Sequence, residues 1–263
     1  MKAIKSLFVL LFLCAVLPST SFALTADEIV ERANQAAYYT GKDGRSDVKM
    51  EIVDSQGGKR ERRFSIIRLT TEGSDQKFYV YFKEPSDVRK MAFLVWKNTA
   101  EGKDDDRWMY LPALNLVRRI APGDKRTSFV GSDFFYEDVS GRSLKADRHE
   151  LVSEDESSWL VKNTPVNPGE VEFAWYNVRI DKKNFLPIKA EYYDKHEKLY
   201  RQVEALEVKD ISGHPTVIRS QASDLLVGSN TVNTFENVEY DIGLKDNIFT
   251  ERFLRRPPRE VTK

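Results

Sequence analysis

Polar and apolar residues alternate with a period of two along much of the chain, which is the pattern of half-buried β-strands. The alternation begins after Gly44, and it places Arg62, Phe64 and Ile66 on one face of the second predicted strand. The glycines of Ser55-Gln56-Gly57-Gly58 allow the positive φ angles of a hairpin turn between the first two strands. The first four predicted strands cover residues 47–54, 59–69, 78–82 and 91–96.

Helical spacing replaces this alternation at the two ends of the chain. Thr25 is a suitable N-cap, and Glu28 three residues later completes the capping-box pattern, so we predict a helix over 25–39. Near the other end, Phe249 and Phe253-Leu254 predict a short closing helix.

The alternating segments continue as far as residue 240, with turn signals every 8–12 residues or so, which is typical of an antiparallel sheet or an open β-barrel. We count about ten to eleven strands and predict an α+β fold that is mainly β. No internal repeat, low-complexity tract or linker interrupts the pattern. We therefore predict one domain over residues 24–263.

The N-terminus has the three regions of a secretory signal peptide. Lys2 and Lys5 form a basic region, residues 7–17 an apolar one, and Ser21-Phe22-Ala23 a small-residue cleavage site. The apolar region is shorter than the ~20 residues of a membrane-spanning helix. We predict cleavage after Ala23 and a periplasmic mature protein.

Charge and cysteine content exclude several classes of function. Removing Lys2 and Lys5 from the 41 basic residues leaves 39 against 41 acidic ones, a formal charge of −2 that disfavours nucleic-acid binding. The only cysteine, Cys14, lies in the apolar region of the signal peptide behind Leu13, where a lipidation site needs a small residue. The mature chain then offers no disulfide and no thiol.

Residues 107–138 concentrate aromatic side chains among fixed charges, in the segments RWMYLPALNLVRRI and RTSFVGSDFFYED. Pro112 ends a short strand because proline cannot donate to a β-ladder, and residues 116–120 form the returning strand. A loop with aromatic residues interleaved with arginines and carboxylates is expected where it crosses the mouth of an apolar cavity.

These two segments resemble the LolA-like family of outer-membrane lipoprotein-sorting proteins, and the similarity extends over nearly the whole mature chain. The resemblance implies a strongly curved, incompletely closed β-barrel with helices over its concave side and an apolar cavity between them. It also implies a carrier of lipid or of lipoprotein acyl chains. An inner-membrane RND-type exporter or an outer-membrane acceptor is the implied partner.

No motif for catalysis, metal binding or phosphate binding accompanies this pattern. The three histidines lie far apart, and no Walker, Rossmann or nucleophile-elbow spacing occurs, so we predict no enzyme activity, cofactor or metal. Asp133 with Glu137 or Asp138 has the composition of an acid–base pair. Ion pairing with nearby arginines is the more frequent role of such carboxylates.

The candidate ligand-contacting residues divide into an apolar set and a polar set. The predicted cavity lining is Phe78, Val80, Phe82, Phe93, Val95, Trp96, Trp108, Tyr110, Phe129, Phe134 and Tyr136. The predicted polar contacts at the rim are Arg118, Arg119, Arg126 and Asp133, and the alternative for the arginines is a salt bridge to Asp133 or Asp138. A one-residue error in register would move any strand residue to the other face.

We therefore expect a monomeric, non-enzymatic periplasmic carrier that shields acyl chains from water, since each buried CH₂ contributes ~0.8 kcal/mol. The alternative is an envelope interaction module that binds a protein or peptide by edge-strand addition. The two hypotheses differ in one structural feature: a carrier requires a dry cavity, whereas the module predicts a filled core.

Overall fold

The computed structural model describes residues 23–100 and 102–263. Residues 1–22 of the predicted signal peptide, among them Cys14, lie outside the described residues. The helices are α1 (Ala26–Tyr38), α2 (Tyr136–Ser140), α3 (Glu251–Arg255) and α4 (Arg259–Thr262). None of these helices has the length and apolar character needed to cross a membrane.

The strands alternate with short turns over the whole described length. They are β1 (Asp43–Val53), β2 (Lys59–Thr70), β3 (Gln76–Glu84), β4 (Ala92–Lys97), β5 (Asp106–Leu111), β6 (Leu116–Ile120), β7 (Asp147–Glu154), β8 (Ser158–Pro165), β9 (Trp175–Asp181), β10 (Pro187–Tyr193), β11 (Leu199–Ile211), β12 (His214–Asp224) and β13 (Ser229–Tyr240).

All thirteen described strands belong to one antiparallel sheet in the order β6-β5-β4-β3-β2-β1-β13-β12-β11-β10-β9-β8-β7. Two meanders, β1–β6 and β7–β13, meet where β1 pairs with β13, with Val48 opposite Phe235. The sheet is strongly curved and is not closed, since β6 and β7 remain at its edges. The predicted fold class is confirmed, and the strand count exceeds the predicted ten to eleven.

The period-two alternation assigns the side chains of β2–β5 to two different cores. On the concave face, Phe64, Phe78, Val80, Phe93 and their neighbours form one buried cluster. On the convex face, a second buried cluster consists of Ile67, Leu69, Tyr79, Leu94, Trp108, Ile248, Phe249, Leu254 and Val261. Strands β3 and β4 are therefore buried on both sides, which explains why their central residues, 78–82 and 92–96, are apolar without interruption.

The helices lie on both faces of the sheet rather than on the concave face alone. Helix α1 covers the concave side, where its Ile29 and Ala33 pack with Val161 and Ile180. Helices α3 and α4 instead cover the convex side, so the expectation that the helices cover the concave side holds only for α1 and α2. The convex packing is fixed by two hydrogen bonds, in which Tyr79 Oη donates to Phe253 O at 2.8 Å and Trp96 Nε1 to Phe249 O at 2.8 Å.

Candidate functional site

A cavity of about 490 Å³ lies on the concave face, between α1 and the curved sheet. This volume falls within the ~300–1,000 Å³ range of small-molecule sites. Its walls are mostly apolar and come from both meanders, from α1 and from the segment that follows β6. The apolar lining includes Val30, Ala33, Ala37, Met50, Phe64, Ile66, Phe78, Val80, Phe129, Phe134, Val178, Ala190, Val203, Ala205, Val217 and Phe235.

The predicted lining residues divide into three groups in the structure. Phe78, Val80, Phe129 and Phe134 line the cavity. A second group belongs to the same concave cluster but packs behind the cavity wall; it consists of Phe82, Phe93, Val95 and Tyr136. The third group lies on the opposite, convex face and does not line the cavity; it consists of Trp96, Trp108 and Tyr110.

The prediction placed these three side chains on the concave face, and the strand register shows that they lie on the convex face instead. Phe93 and Val95 point to the concave side, so Leu94 and Trp96 point to the convex side, where Trp96 packs on Trp108 with ring centroids 5.0 Å apart. The sequence interpretation also omitted the walls contributed by α1 and by β9–β13. The polar and apolar alternation in those strands indicates which side chains are buried. It does not indicate which strands curve around the same cavity.

The segment between β6 and α2 carries Phe129 and Phe134 to the cavity. Phe129 N donates to Phe134 O at 2.7 Å, and the chain reverses between them with Val130 at φ 52° and Gly131 at φ 72°. The Phe129 ring lies 5.4 Å from the ring of Phe93. A β-branched residue at positive φ is strained, so tertiary packing of Phe129 must hold this turn in place.

Asp133 anchors this segment to the sheet instead of standing at a rim. Its carboxylate accepts hydrogen bonds from the hydroxyl groups of Ser229 and Thr231, the latter at 2.6 Å. Its backbone N–H donates to Thr231 Oγ1 at 3.0 Å. Both carboxylate oxygens are thus used on β13.

The three predicted rim arginines occupy different environments. Arg118 and Arg119 are exposed by 60% and 65%, and they pair with Asp124 and Asp106 respectively. Neither lines the cavity. The predicted alternative, pairing with Asp133 or Asp138, is wrong for all three arginines, because Asp138 pairs with Arg201 at 2.5 Å.

Arg126 is buried, and its guanidinium lies between two carboxylates. It contacts Glu137 at 2.7 Å and Glu172 at 2.7 Å, and it lies 4.8 Å from the centroid of the Phe173 ring and 5.2 Å from that of Tyr192. Burial alone would lower the pKa of Arg126, but the two carboxylates hold it above its usual value. Its role in the structure is therefore to bind α2 to the segment before β9.

Glu137 on α2 extends this ion pair into a network. Besides Arg126, it pairs with Arg142 at 3.3 Å, and Arg142 in turn contacts Asp147 at 2.8 Å. Burial alone would raise the pKa of Glu137, but the adjacent guanidinium groups outweigh burial and lower it. A buried carboxylate held ionised by two arginines is a poor proton donor or acceptor near neutral pH. The network accordingly stabilises the segment next to the cavity and has no acid–base geometry.

Lys97 is a second buried cation near the cavity wall. Its ammonium donates to the carbonyl oxygens of Ser140 and Gly141 at the end of α2, the latter at 3.0 Å. Burial lowers its pKa to about 8, although Asp105 and Glu137 act in the opposite direction. Among the described residues, no group of three or more His, Cys, Asp or Glu side chains could hold a metal ion.

Residues 74–256 match a family model described as "Uncharacterized protein". The crystal structure of a DUF1329 family protein from Desulfovibrio piger is 29% identical, with a TM-score of 0.81, and the match covers 87% of this chain and 97% of that one. A domain named for outer membrane lipoprotein sorting, from Vibrio parahaemolyticus, is 25% identical over 88% of this chain and 98% of its own, with a TM-score of 0.80.

A LolA superfamily protein from Nitrosomonas europaea matches 88% of this chain with all of its own, at 19% identity and a TM-score of 0.67. At that identity the similarity concerns the fold alone. The comparison with curated proteins finds no match.

Proposed function

We propose that this chain, which belongs to the family whose model matches residues 74–256 and has the LolA-like fold, is a non-enzymatic carrier that encloses an acyl chain of a lipid or lipoprotein in its apolar cavity. The observation that carries the proposal is the cavity of about 490 Å³ between α1 and the concave face. Protein interiors are otherwise densely packed, so a largely apolar cavity of this size supports a binding site for an apolar ligand.

The energetics favour an apolar occupant. Each CH₂ group that leaves water contributes ~0.8 kcal/mol, so a long acyl chain contributes many times the thermal energy. The walls offer aromatic and branched side chains, such as Phe64, Phe78 and Val203, to most of its length. For the same reason, an acyl chain exposed to water is too unfavourable to cross an aqueous compartment without a carrier.

The cavity also distinguishes the two hypotheses raised by the sequence. A protein that binds its partner through a strand edge needs no interior cavity, so the interaction-module hypothesis predicts a filled core. The cavity volume therefore supports the carrier. We place this carrier in the periplasm, with an inner-membrane RND-type exporter or an outer-membrane acceptor as its partner.

A substitution that fills the cavity tests the proposal. Ala205 on β11 lines the cavity, whereas the next residue, Leu206, is 41% exposed and does not line it. We expect Ala205→Phe to weaken the binding of a fluorescent fatty acid by tenfold or more, roughly the effect of 1.4 kcal/mol, because its ring occupies the space of the chain. The matched variant Leu206→Phe keeps native affinity.

Equal affinity in both variants would contradict binding inside the cavity. Melting curves of the two variants serve as the folding control. If neither the native protein nor either variant binds a fatty acid, the carrier proposal is wrong.

A further inference from the structure

Two polar side chains lie next to each other on the apolar wall of the cavity. Asn233 on β13 is directly opposite Ser220 on β12 in the strand register, and both line the cavity. Along the same row, Met50 on β1 adjoins Asn233, and Ala205 on β11 adjoins Ser220. The polar pair is thus flanked by apolar cavity residues on both sides.

The carboxamide oxygen of Asn233 has no hydrogen-bond partner within residues 23–100 and 102–263. Its residue is 8% exposed, and its Oδ1 is buried without a hydrogen bond among the described residues. Asn163, which lines the same cavity, is the informative contrast. Its Oδ1 contacts His149 Nδ1 at 2.7 Å, and its Nδ2 donates to Val161 O at 3.2 Å. A buried amide without such partners is unfavourable by ~1–3 kcal/mol and calls for a polar occupant beside it.

The pair lies in the more buried part of β13. Along β13, the residues from Glu236 towards Tyr240 are mostly exposed, whereas Asn233 is buried. Tyr240, which also lines the cavity, lies seven positions beyond Asn233, and this corresponds to at most about 23 Å of strand. Arg68 lines the cavity in the part that Tyr240 lines. A chain whose carboxylate head group faces the Arg68 guanidinium extends its far end towards Asn233.

We propose that the cavity accepts an acyl chain that carries a hydrogen-bonding group, such as a hydroxyl, at its buried end. The side chains of Asn233 and Ser220 can both donate and accept hydrogen bonds, and so can a hydroxyl group. The two side chains therefore satisfy the hydroxyl group of the ligand, and that group satisfies them. This inference rests on the proposed carrier function and adds to it that the buried end of the cavity accommodates a polar group on the chain. A purely apolar wall would reject the same group, because its hydrogen bonds to water would be lost without replacement.

The test uses two probes that differ by one hydroxyl, namely palmitic acid and its ω-hydroxy derivative, titrated below their micellar concentrations. For the native protein, we expect the two dissociation constants to agree within about threefold. For Asn233→Leu, which keeps the branched outline of the side chain and removes the amide, we expect the ω-hydroxy probe to bind at least tenfold more weakly than palmitic acid, the effect of an unpaired hydroxyl. Ser220→Ala shifts the ratio in the same direction.

Thr234→Val is the matched control, since Thr234 adjoins Asn233 on β13 but does not line the cavity, and it leaves the ratio unchanged. A native protein that discriminates against the ω-hydroxy probe as strongly as Asn233→Leu overturns the inference while leaving the carrier function intact. A native protein that binds neither probe overturns both. Retained palmitic acid binding by Asn233→Leu shows that this variant is folded.

Discussion

At the scale of single residues, the buried ion pair of Arg126 with Glu137 links the segment after β6 to α2. Its side chain and that of Glu137 are each only 5% exposed, and the two are 2.7 Å apart. Removing one partner of such a pair leaves the other charge buried without compensation.

We therefore expect Arg126→Met to lower the free energy of unfolding by about 3–5 kcal/mol, measured by urea denaturation. Arg118→Met is the control, because Arg118 is 60% exposed and its pairing with Asp124 at 3.7 Å is screened by solvent. The control stays within about 0.5 kcal/mol of the native protein. Similar losses from both variants would contradict the buried placement of Arg126.

Lys97 gives the protein a specific dependence on pH. Its pKa of about 8 in the folded state lies below the usual value of 10.5 because of burial. Between these two pH values the unfolded chain binds more protons than the folded one, so stability rises with pH. From pH 7 to pH 9 we expect the free energy of unfolding to increase by about 1 kcal/mol from this residue.

Urea denaturation of Lys97→Met across that pH range checks this expectation, since the rise is absent from the variant. Lys103, which is exposed in the loop before β5, provides the control, and Lys103→Met keeps the rise. A native protein whose stability is flat or falls over this range would show that Lys97 is not desolvated.

The residues of the cavity were predictable from the sequence only where a strand alternates. Strand β4 is apolar on both faces, so its pattern carries no information on which of Phe93 and Trp96 turns inwards. For this reason Trp96 was assigned to the wrong face. The pairing of Arg126 with Glu172 was also beyond the sequence, because it joins residues that are 46 positions apart.

At the scale of secondary-structure elements, α1 is held in place by its cap and by its apolar face. Glu28 N donates to Thr25 Oγ1 at 3.2 Å, and Thr25 N donates to Glu28 Oε2 at 2.8 Å, which completes a capping box. The predicted cap is confirmed, because its signal is local and needs no tertiary contact.

We expect Thr25→Ala to lower the free energy of unfolding by about 1 kcal/mol, since it leaves a backbone N–H of α1 without its acceptor. Glu31, an exposed residue of α1 outside the cap, provides the control. Glu31→Ala stays within about 0.5 kcal/mol of the native protein in the same urea titration. If Thr25→Ala is as stable as this control, α1 does not depend on its cap.

The strands were predictable for the same local reason, but their arrangement was not. The hairpin from β1 to β2 follows from its turn sequence, and Val53 pairs with Lys59 as the turn requires. The pairing of β1 with β13 joins segments about 190 residues apart, and no local signal specifies it. The convex packing of α3 and α4 likewise depends on the sheet that they cover.

At the scale of the whole molecule, the cavity is a property of the curvature that the two meanders share. Its walls come from β2 and β3 on one side and from β9 to β13 on the other, so neither meander encloses it alone. Phe129 and Phe134 close the space from the segment that connects the meanders. A single chain of lipid is the occupant that this shape and lining favour.

The most direct test of the carrier function is native mass spectrometry of the mature protein purified from the periplasm, followed by lipid analysis of the released species. We predict a protein that carries one acylated molecule per chain, and an Ala205→Phe variant that carries none. A native protein that is free of ligand, and that also takes up no fluorescent fatty acid, would contradict the carrier function and favour the protein-binding module.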